Sequence, residues 1–252
     1  MDRLADAVEL LDGPLDDPAT LAGNLRDLRR INRWLDGVRL SADAIDALGA
    51  HRERLTVLDV GTGGADIPMA LLARAAERGR GLSVVGIDSR PEVLTAAVMA
   101  TPAVSVTPGL ELHIGDGRSL PYTDASFDVV HCSLLIHHLA AREAVTLLRE
   151  MGRVARLGVV VNDLDRTRLG WLGAWLIGHL LTRNRYTRTD APLSVLRSYR
   201  VGEVRGLLRT AGLTPVRTLR GAFGQRYAIA AVPTPAAVEP SAASPDPRGA
   251  GE

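Results

Sequence analysis

The sequence predicts a doubly wound α/β fold on a mainly parallel sheet, and three observations carry that expectation. Short apolar runs alternate with segments of helical length between Thr56 and Asp163. Strands separated by helices of that length need crossover connections, which set neighbouring strands parallel. A glycine-rich turn, Gly61-Thr62-Gly63-Gly64, follows the first of these runs directly. Acids then mark the ends of later runs: Asp88 closes Val84-Val85-Gly86-Ile87, and Asp116 sits in Gly115-Asp116-Gly117. Glycines let the backbone turn tightly and approach a ligand, while an acid ending the second strand can hold a ribose diol. The pattern is that of a nucleoside-binding crevice at the carboxyl ends of parallel strands.

Taken in order, residues 1–50 read as a helical amino-terminal cap. Asp17-Pro18 offers an N-cap followed by a proline in the first turn, where its missing N–H costs little. Leu21, Leu25, Leu28, Ile31 and Leu35 form an apolar stripe, and Ser41 is expected to cap a second helix carrying Ile45 and Leu48. This cap either covers one edge of the core or closes over the crevice, with Arg29, Arg30 or Arg33 near a cofactor carboxylate. Residues 51–232 form the main domain. Its strands are expected at Thr56–Val60, Ser83–Asp88, Glu111–Gly115, Phe127–Ser133 and Gly158–Asp163, with helices at Asp66–Arg78, Pro91–Ala100 and Ala141–Val154. Arg200–Ala211 reads as a late helix stopped by Gly212, followed by strands at Pro215–Leu219 and Arg226–Val232. Residues 166–198 stand outside the alternation as an insertion. From Pro233 onward proline, alanine, serine and glycine dominate, so a disordered tail is expected over 233–252.

Composition narrows the function. A chain of 252 residues that is 46% hydrophobic can bury one substantial core. A net charge of +1 gives no reason to expect nucleic acid as a partner. All basic residues are arginine, and between Arg166 and Arg226 the only acids are Asp190 and Glu203. That asymmetry reads as a solvated basic face or as a docking surface for an acidic substrate or carrier protein. The single cysteine, Cys132, excludes an internal disulfide and a thiolate metal cluster, and its apolar run makes it an inert core thiol. No secretory leader is visible, and Leu169–Leu181 is too short for a bilayer span of about 20 residues. A cytoplasmic protein without stable membrane insertion is the expectation.

The order Asp59-x-Gly61-x-Gly63, Asp88, Asp116 and Phe127–Ser133 resembles a class I S-adenosylmethionine-dependent methyltransferase, covering about Leu55 to Val161. The resemblance implies a Rossmann-like, seven-stranded sheet with one antiparallel closing strand, and S-adenosylmethionine as cofactor. It implies that Asp59, Gly61 and Gly63 line the amino-acid end of the cofactor and that Asp88 binds both ribose hydroxyls. Ser89 would lie beside the adenine, Asp116 would accept from the adenine amine with Gly117 nearby, and Ser133 would run beneath the sulfonium. Ala65 departs from the pattern, filling a slot often held by a third glycine. Asp66, where a dinucleotide-binding turn would carry glycine, would repel a pyrophosphate and so argues against a nicotinamide-dependent oxidoreductase.

For the acceptor, the same resemblance implies a small-molecule O-methyltransferase. His138, with His137 as the alternative, is the expected base that takes the hydroxyl proton. The stretch Leu134-Leu135-Ile136-His137-His138 lacks the carboxylates that hold a divalent ion in ubiquinone-type O-methyltransferases, so no metal is expected. The insertion would form a helical lid over the acceptor, with Trp171 and Trp175 facing a pocket that Asn162 and Asp163 close from the strand side; Arg166, Tyr186 and Tyr199 would add polar contacts. The expected acceptor is an apolar aromatic or polyketide-type natural product, free or carrier-bound, and a homodimer is compatible with the sequence. Carbon or nitrogen methylation, and a catalytically silent binding protein that keeps the cofactor fold, are the alternatives.

Overall fold

The computed structural model describes residues 1–15 and 17–235, and within them a single seven-stranded sheet orders as β3-β2-β1-β4-β5-β7-β6. The strands are β1 (Arg54–Val60), β2 (Gly81–Asp88), β3 (Leu110–Ile114), β4 (Phe127–Ser133), β5 (Ala155–Leu164), β6 (Leu213–Arg220) and β7 (Arg226–Pro233). β1 pairs in parallel with β2 and β4, and β7 enters antiparallel between β5 and β6. The order reverses at β1, so the carboxyl ends of β1, β2 and β4 open a crevice there, as a switch point requires.

Helices cover both faces. α1 (Pro18–Trp34), α2 (Gly37–Gly49), α3 (Asp66–Glu77), α4 (Pro91–Ala100), α5 (Ala141–Val154), α6 (Arg168–Leu180), α7 (Arg185–Arg197) and α8 (Val201–Thr210) follow in chain order. α5 has a pronounced apolar stripe, Leu147, Leu148 and Met151, that packs with Val204 and Leu208 of α8 on one face of the sheet. Leu40 and Ile45 of α2 pack with Ile67 and Leu71 of α3 on the other. β4 is buried at nearly every position because helices cover it on both sides, so it shows no polar–apolar alternation.

Two sequence expectations are corrected here. The Asp17 carboxylate does cap α1, accepting from the N–H groups of Ala19 and Thr20, but Ser41 caps nothing. α2 starts at Gly37, and Ser41 lies buried in its middle, bonded to His131 and Asn162. β7 runs one residue beyond the expected end, to Pro233, and Thr234 donates its N–H to Gly212 O. The rest of the expected tail, 236–252, lies outside the described residues. Among the described residues no helix is long and apolar enough to cross a membrane.

Candidate active site

The crevice is built mainly from backbone. Gly61 and Thr62 both donate N–H to Ile87 O, at 2.8 and 3.0 Å, folding the chain sharply after β1. Gly61 adopts φ +70°, and a Cβ there would meet Leu135 at 2.9 Å; Gly63 has φ +53° and its missing Cβ leaves open space. Ala65 also adopts a left-handed φ of 53° while completely buried, a strained position before α3. Asp88 accepts from the N–H groups of Gly63 and Arg90, each at 3.1 Å, so β2 and the turn are clasped by one carboxylate. Burial pushes the Asp88 carboxyl up. The resulting crevice, about 370 Å³, is lined by Asp59, Gly61, Gly63, Asp88, Ser89, Asp116, Gly117 and Ser133 together. Asn24, Leu25 and Leu28 of α1 close it from above, so within the amino-terminal cap α1 lies over the crevice while α2 packs on the sheet.

A second cavity of about 340 Å³ adjoins the first, and its walls are mostly apolar. Leu11, Asn24, Leu28, Leu134 and His138 line both spaces. The histidines sit on a single 3-10 turn, Ile136–His138, directly after β4. His137 is buried and its Nδ1 lies 2.7 Å from Asp163 Oδ1; His138 Nδ1 lies 2.8 Å from Asp12 Oδ1. Both Nε2 atoms turn toward buried Glu9, at 3.8 and 3.9 Å. Burial pushes the Glu9 carboxyl up to about 7, against the opposing pull of His138, Ser194 and Arg197. Burial would also raise Asp12, but the hydrogen bond and charge of His138, with the Arg197 hydrogen bond, hold it below the usual carboxylate range. Asp163 stays low likewise, because His137 outweighs its burial.

Residues 58–161 match a protein-family model described as a methyltransferase domain. Over that stretch the chain resembles the class I S-adenosylmethionine-dependent methyltransferases. It is 34% identical over 167 residues to the demethylmenaquinone methyltransferase of Deinococcus radiodurans, covering 62% of this chain and 65% of that one. It is 29% identical over 102 residues to a ubiquinone/menaquinone biosynthesis C-methyltransferase of Rickettsia akari, covering 38% and 41%. The chain thus spans less than two thirds of the length of these curated relatives. Among solved structures it resembles an S-adenosylmethionine-dependent methyltransferase of Aquifex aeolicus, with TM-score 0.60, 20% identity and coverage of 85% and 97%. It also resembles human N-acetylserotonin methyltransferase solved with the cofactor, with TM-score 0.63, 16% identity and coverage of 86% and 57%. The crevice suits S-adenosylmethionine: glycines open a cradle at Gly63, and Asp59, Asp66, Asp88 and Asp116 line it with carboxyl groups that a sulfonium and an ammonium favour.

Several side chains of the methyltransferase stand elsewhere than the sequence suggested. Trp171 and Trp175 do not line the second cavity; they face outward, and Gly170, Gly173, Ala174 and Ile177 line it instead. The small residues of the helix allow the close approach, and its largest side chains stay on the outer arc. Asn162 and Asp163 are buried beneath the cavity rather than in its wall: Asn162 bonds Gly37 O, Ser41 and Arg226, and Asp163 holds His137. Arg166 pairs with Glu203, Tyr199 donates to Leu139 O, and Tyr186 packs beside α1 and α4. Arg29, Arg30 and Arg33 line neither space; Arg90 does line the crevice, anchored on Leu11 O and Gly13 O. Asp116 is exposed and held by Arg118, whose hydrogen bonds lower its carboxyl.

Three residues unassigned by sequence, His131, Arg226 and Glu9, complete the site. Asp59 spends one oxygen on His131 Nδ1, 2.6 Å, and the other on Thr62, 2.8 Å, so it braces the turn from inside. His131 Nε2 meets Ser41 at 2.7 Å, Ser41 accepts from Asn162, and Asn162 accepts from Arg226. Buried Arg226 also donates to Asn32 on α1 and to Ser133, tying cap, β4, β5 and β7 into one buried polar chain; burial lowers its guanidinium to about 10. Glu9 is the third. It stands 128 residues before His137, too far for any local motif to reveal, and it supplies the carboxylate that the histidine stretch lacked. Glu9, His137 and His138 place ligand atoms within 4.8 Å of one another, a donor set of the kind that holds a divalent cation. The Arg197 guanidinium, 3.2 Å from Glu9, already occupies one side of that group.

Proposed function

We propose that the chain methylates a hydroxylated, apolar aromatic ring seated in the second cavity, with His138 as the base. The supporting observation is that the apolar cavity meets the cofactor crevice at a shared wall containing His138. Bound in the crevice, S-adenosylmethionine supplies an electrophilic methyl group on sulfur. In this reading Asp88 holds the ribose diol, Ser89, Asp116 and Gly117 border the adenine, and Asp59, Gly61, Gly63 and Ser133 shape the amino-acid end. An in-line transfer depends chiefly on positioning, which the apolar walls provide by excluding water.

His138 Nε2 takes the hydroxyl proton, and Asp12 on its Nδ1 orients the ring and stabilises the charge it gains. His137, locked by Asp163, presents its Nε2 to the same space and positions the hydroxyl. Ionising the hydroxyl makes both the oxygen and the adjacent ring carbon nucleophilic. The carbon is the preferred acceptor here, since the Rickettsia akari relative is named a C-methyltransferase of ubiquinone/menaquinone biosynthesis. The oxygen is the second reading, favoured by the place of His138 beside the crevice. One proton leaves per methyl transferred in either case.

The test is incubation of the purified chain and cofactor with naphthols, hydroquinones and phenols, reading products by mass spectrometry and NMR. A ring-methyl product supports the first reading and a methyl ether the second; cofactor binding without any product would favour a silent binding protein. His138→Ala should lower kcat about 100-fold or more while cofactor affinity, measured by calorimetry, stays unchanged.

A further inference from the structure

α6 has no polar face. Gly170, Gly173, Ala174 and Ile177 line the acceptor cavity, while the opposite arc carries Trp171, Leu172, Trp175, Leu176 and Leu180 into the open. Leu172 is 45% exposed and Leu180 72%, and Leu181 beyond the helix is 59% exposed. The one polar side chain within that arc past the first turn, His179, lays its ring on Trp175 at 4.6 Å. A helix apolar all round is ordinarily buried on every side; this one is buried on one. Leu169 and Phe223 line the cavity and are also 75% and 78% exposed, so the mouth of the acceptor cavity opens within the same apolar surface. An exposed apolar patch of this extent marks an interaction site.

The surrounding charge identifies the occupant. Arg168, Arg183, Arg185 and Arg188 are exposed and, among the described residues, form no ion pair, while the only acid between 166 and 198, Asp190, is buried against Leu10 and Leu11 N–H. A second copy joined through this face would bring two like sets of arginines together. An anionic surface neutralises them instead. We propose that α6, with Leu181 and Phe223, docks the protein on an anionic lipid bilayer. The helix lies in the membrane plane, its tryptophans and leucines at the headgroup–acyl boundary, with Arg168 and the arginines that follow the helix on the headgroups. With 13 residues it is too short to span. Resting on the proposed acceptor chemistry, the consequence is that an apolar acceptor dissolved in the bilayer enters the cavity mouth without crossing water.

Docking needs neither cofactor nor acceptor, so its test is independent of methyl transfer. The purified full chain is sedimented with vesicles of phosphatidylcholine alone and of phosphatidylcholine with phosphatidylglycerol, at low and high salt. The expected result is binding at least tenfold stronger to the anionic vesicles, weakened by salt, with a blue shift of tryptophan emission. Leu172→Glu/Leu176→Glu, both exposed, should lose binding at least tenfold, and Arg183→Glu/Arg188→Glu should erase the anionic preference; unchanged circular dichroism and thermal midpoint show that the variants fold. No binding to either vesicle, or equal binding to both, overturns the proposal. So does a dimer in light scattering that Leu172→Glu/Leu176→Glu dissociates, which would assign the face to a second copy. Vesicle binding by a protein that methylates no phenol would leave docking standing and defeat the proposed reaction.

Discussion

The cofactor crevice and the acceptor cavity are neighbours of similar volume, about 370 and 340 Å³, yet they are built in opposite ways. The crevice rests on backbone turns and carboxylates at the ends of adjacent parallel strands, most of it within residues 59–118. The cavity is assembled from side chains of the amino-terminal strap, α1, the 3-10 turn after β4, α6, α7 and the β6–β7 turn. Strand-end geometry is shared by anything with this sheet order, so the first site constrains a few residues tightly. The second depends on how remote segments pack, and it is free to take different residues for different acceptors. The buried chain from Asp59 through His131, Ser41 and Asn162 to Arg226 braces the crevice from beneath, returning to its wall at Asn32 and Ser133.

Cutting that brace should produce the largest effect. Arg226→Met leaves Asn32, Asn162 and Ser133 without their donor and should destabilise the fold by about 3–5 kcal/mol, a drop of about 10 °C in Tm by calorimetry. If Tm moves by less than 2 °C or so, the crevice is not held by this chain.

Glu9 tests the acceptor side alone. Its carboxyl is raised from 4.5 to about 7 in the folded protein, so its contribution is fully present below pH 4.5 and is lost as pH rises toward 7. The unfolded chain releases the proton first, and stability therefore falls across that window by about 3 kcal/mol. Urea unfolding from pH 4.5 to 7 should show a flatter profile in Glu9→Gln than in the wild type; matching slopes would mean that Glu9 is ionised in the fold.

Asp88 tests the cofactor side. Asp88→Ala should weaken S-adenosylmethionine binding about 30-fold, about 2 kcal/mol, through lost charge-assisted hydrogen bonds to the ribose and a loosened Gly63 turn. Calorimetric titration measures this, and retention of wild-type affinity would remove Asp88 from the site. The smallest effect belongs to Ala65→Gly, which relieves a left-handed φ at the cost of a buried methyl and should raise stability by less than about 1 kcal/mol.

Legibility follows the same division. Gly61, Gly63, Asp88 and Asp116 were found because local spacing encodes them: a turn after a strand and acids at strand ends are features of contiguous sequence. Trp171 and Trp175 were misplaced because an all-apolar helix gives periodicity no polar face to point with, and size is a poor guide to which side packs. Asn162 and Asp163 were placed at the right end of β5, but alternation along a strand buried on both faces does not say which side chain meets a cavity.

By itself, then, the sequence determined the doubly wound sheet and the glycine turn after its first strand, because these follow from periodicity, glycine positions and strand ends a few residues apart; the antiparallel closing strand was implied by the family resemblance alone. Only the tertiary structure decided that Glu9 faces both histidines, that Arg226 binds cap to sheet, and that α6 shows its tryptophans to the outside. Each of those is a contact between segments distant along the chain, or a choice of helix face. Such choices are set by packing across the whole fold, which no local pattern records.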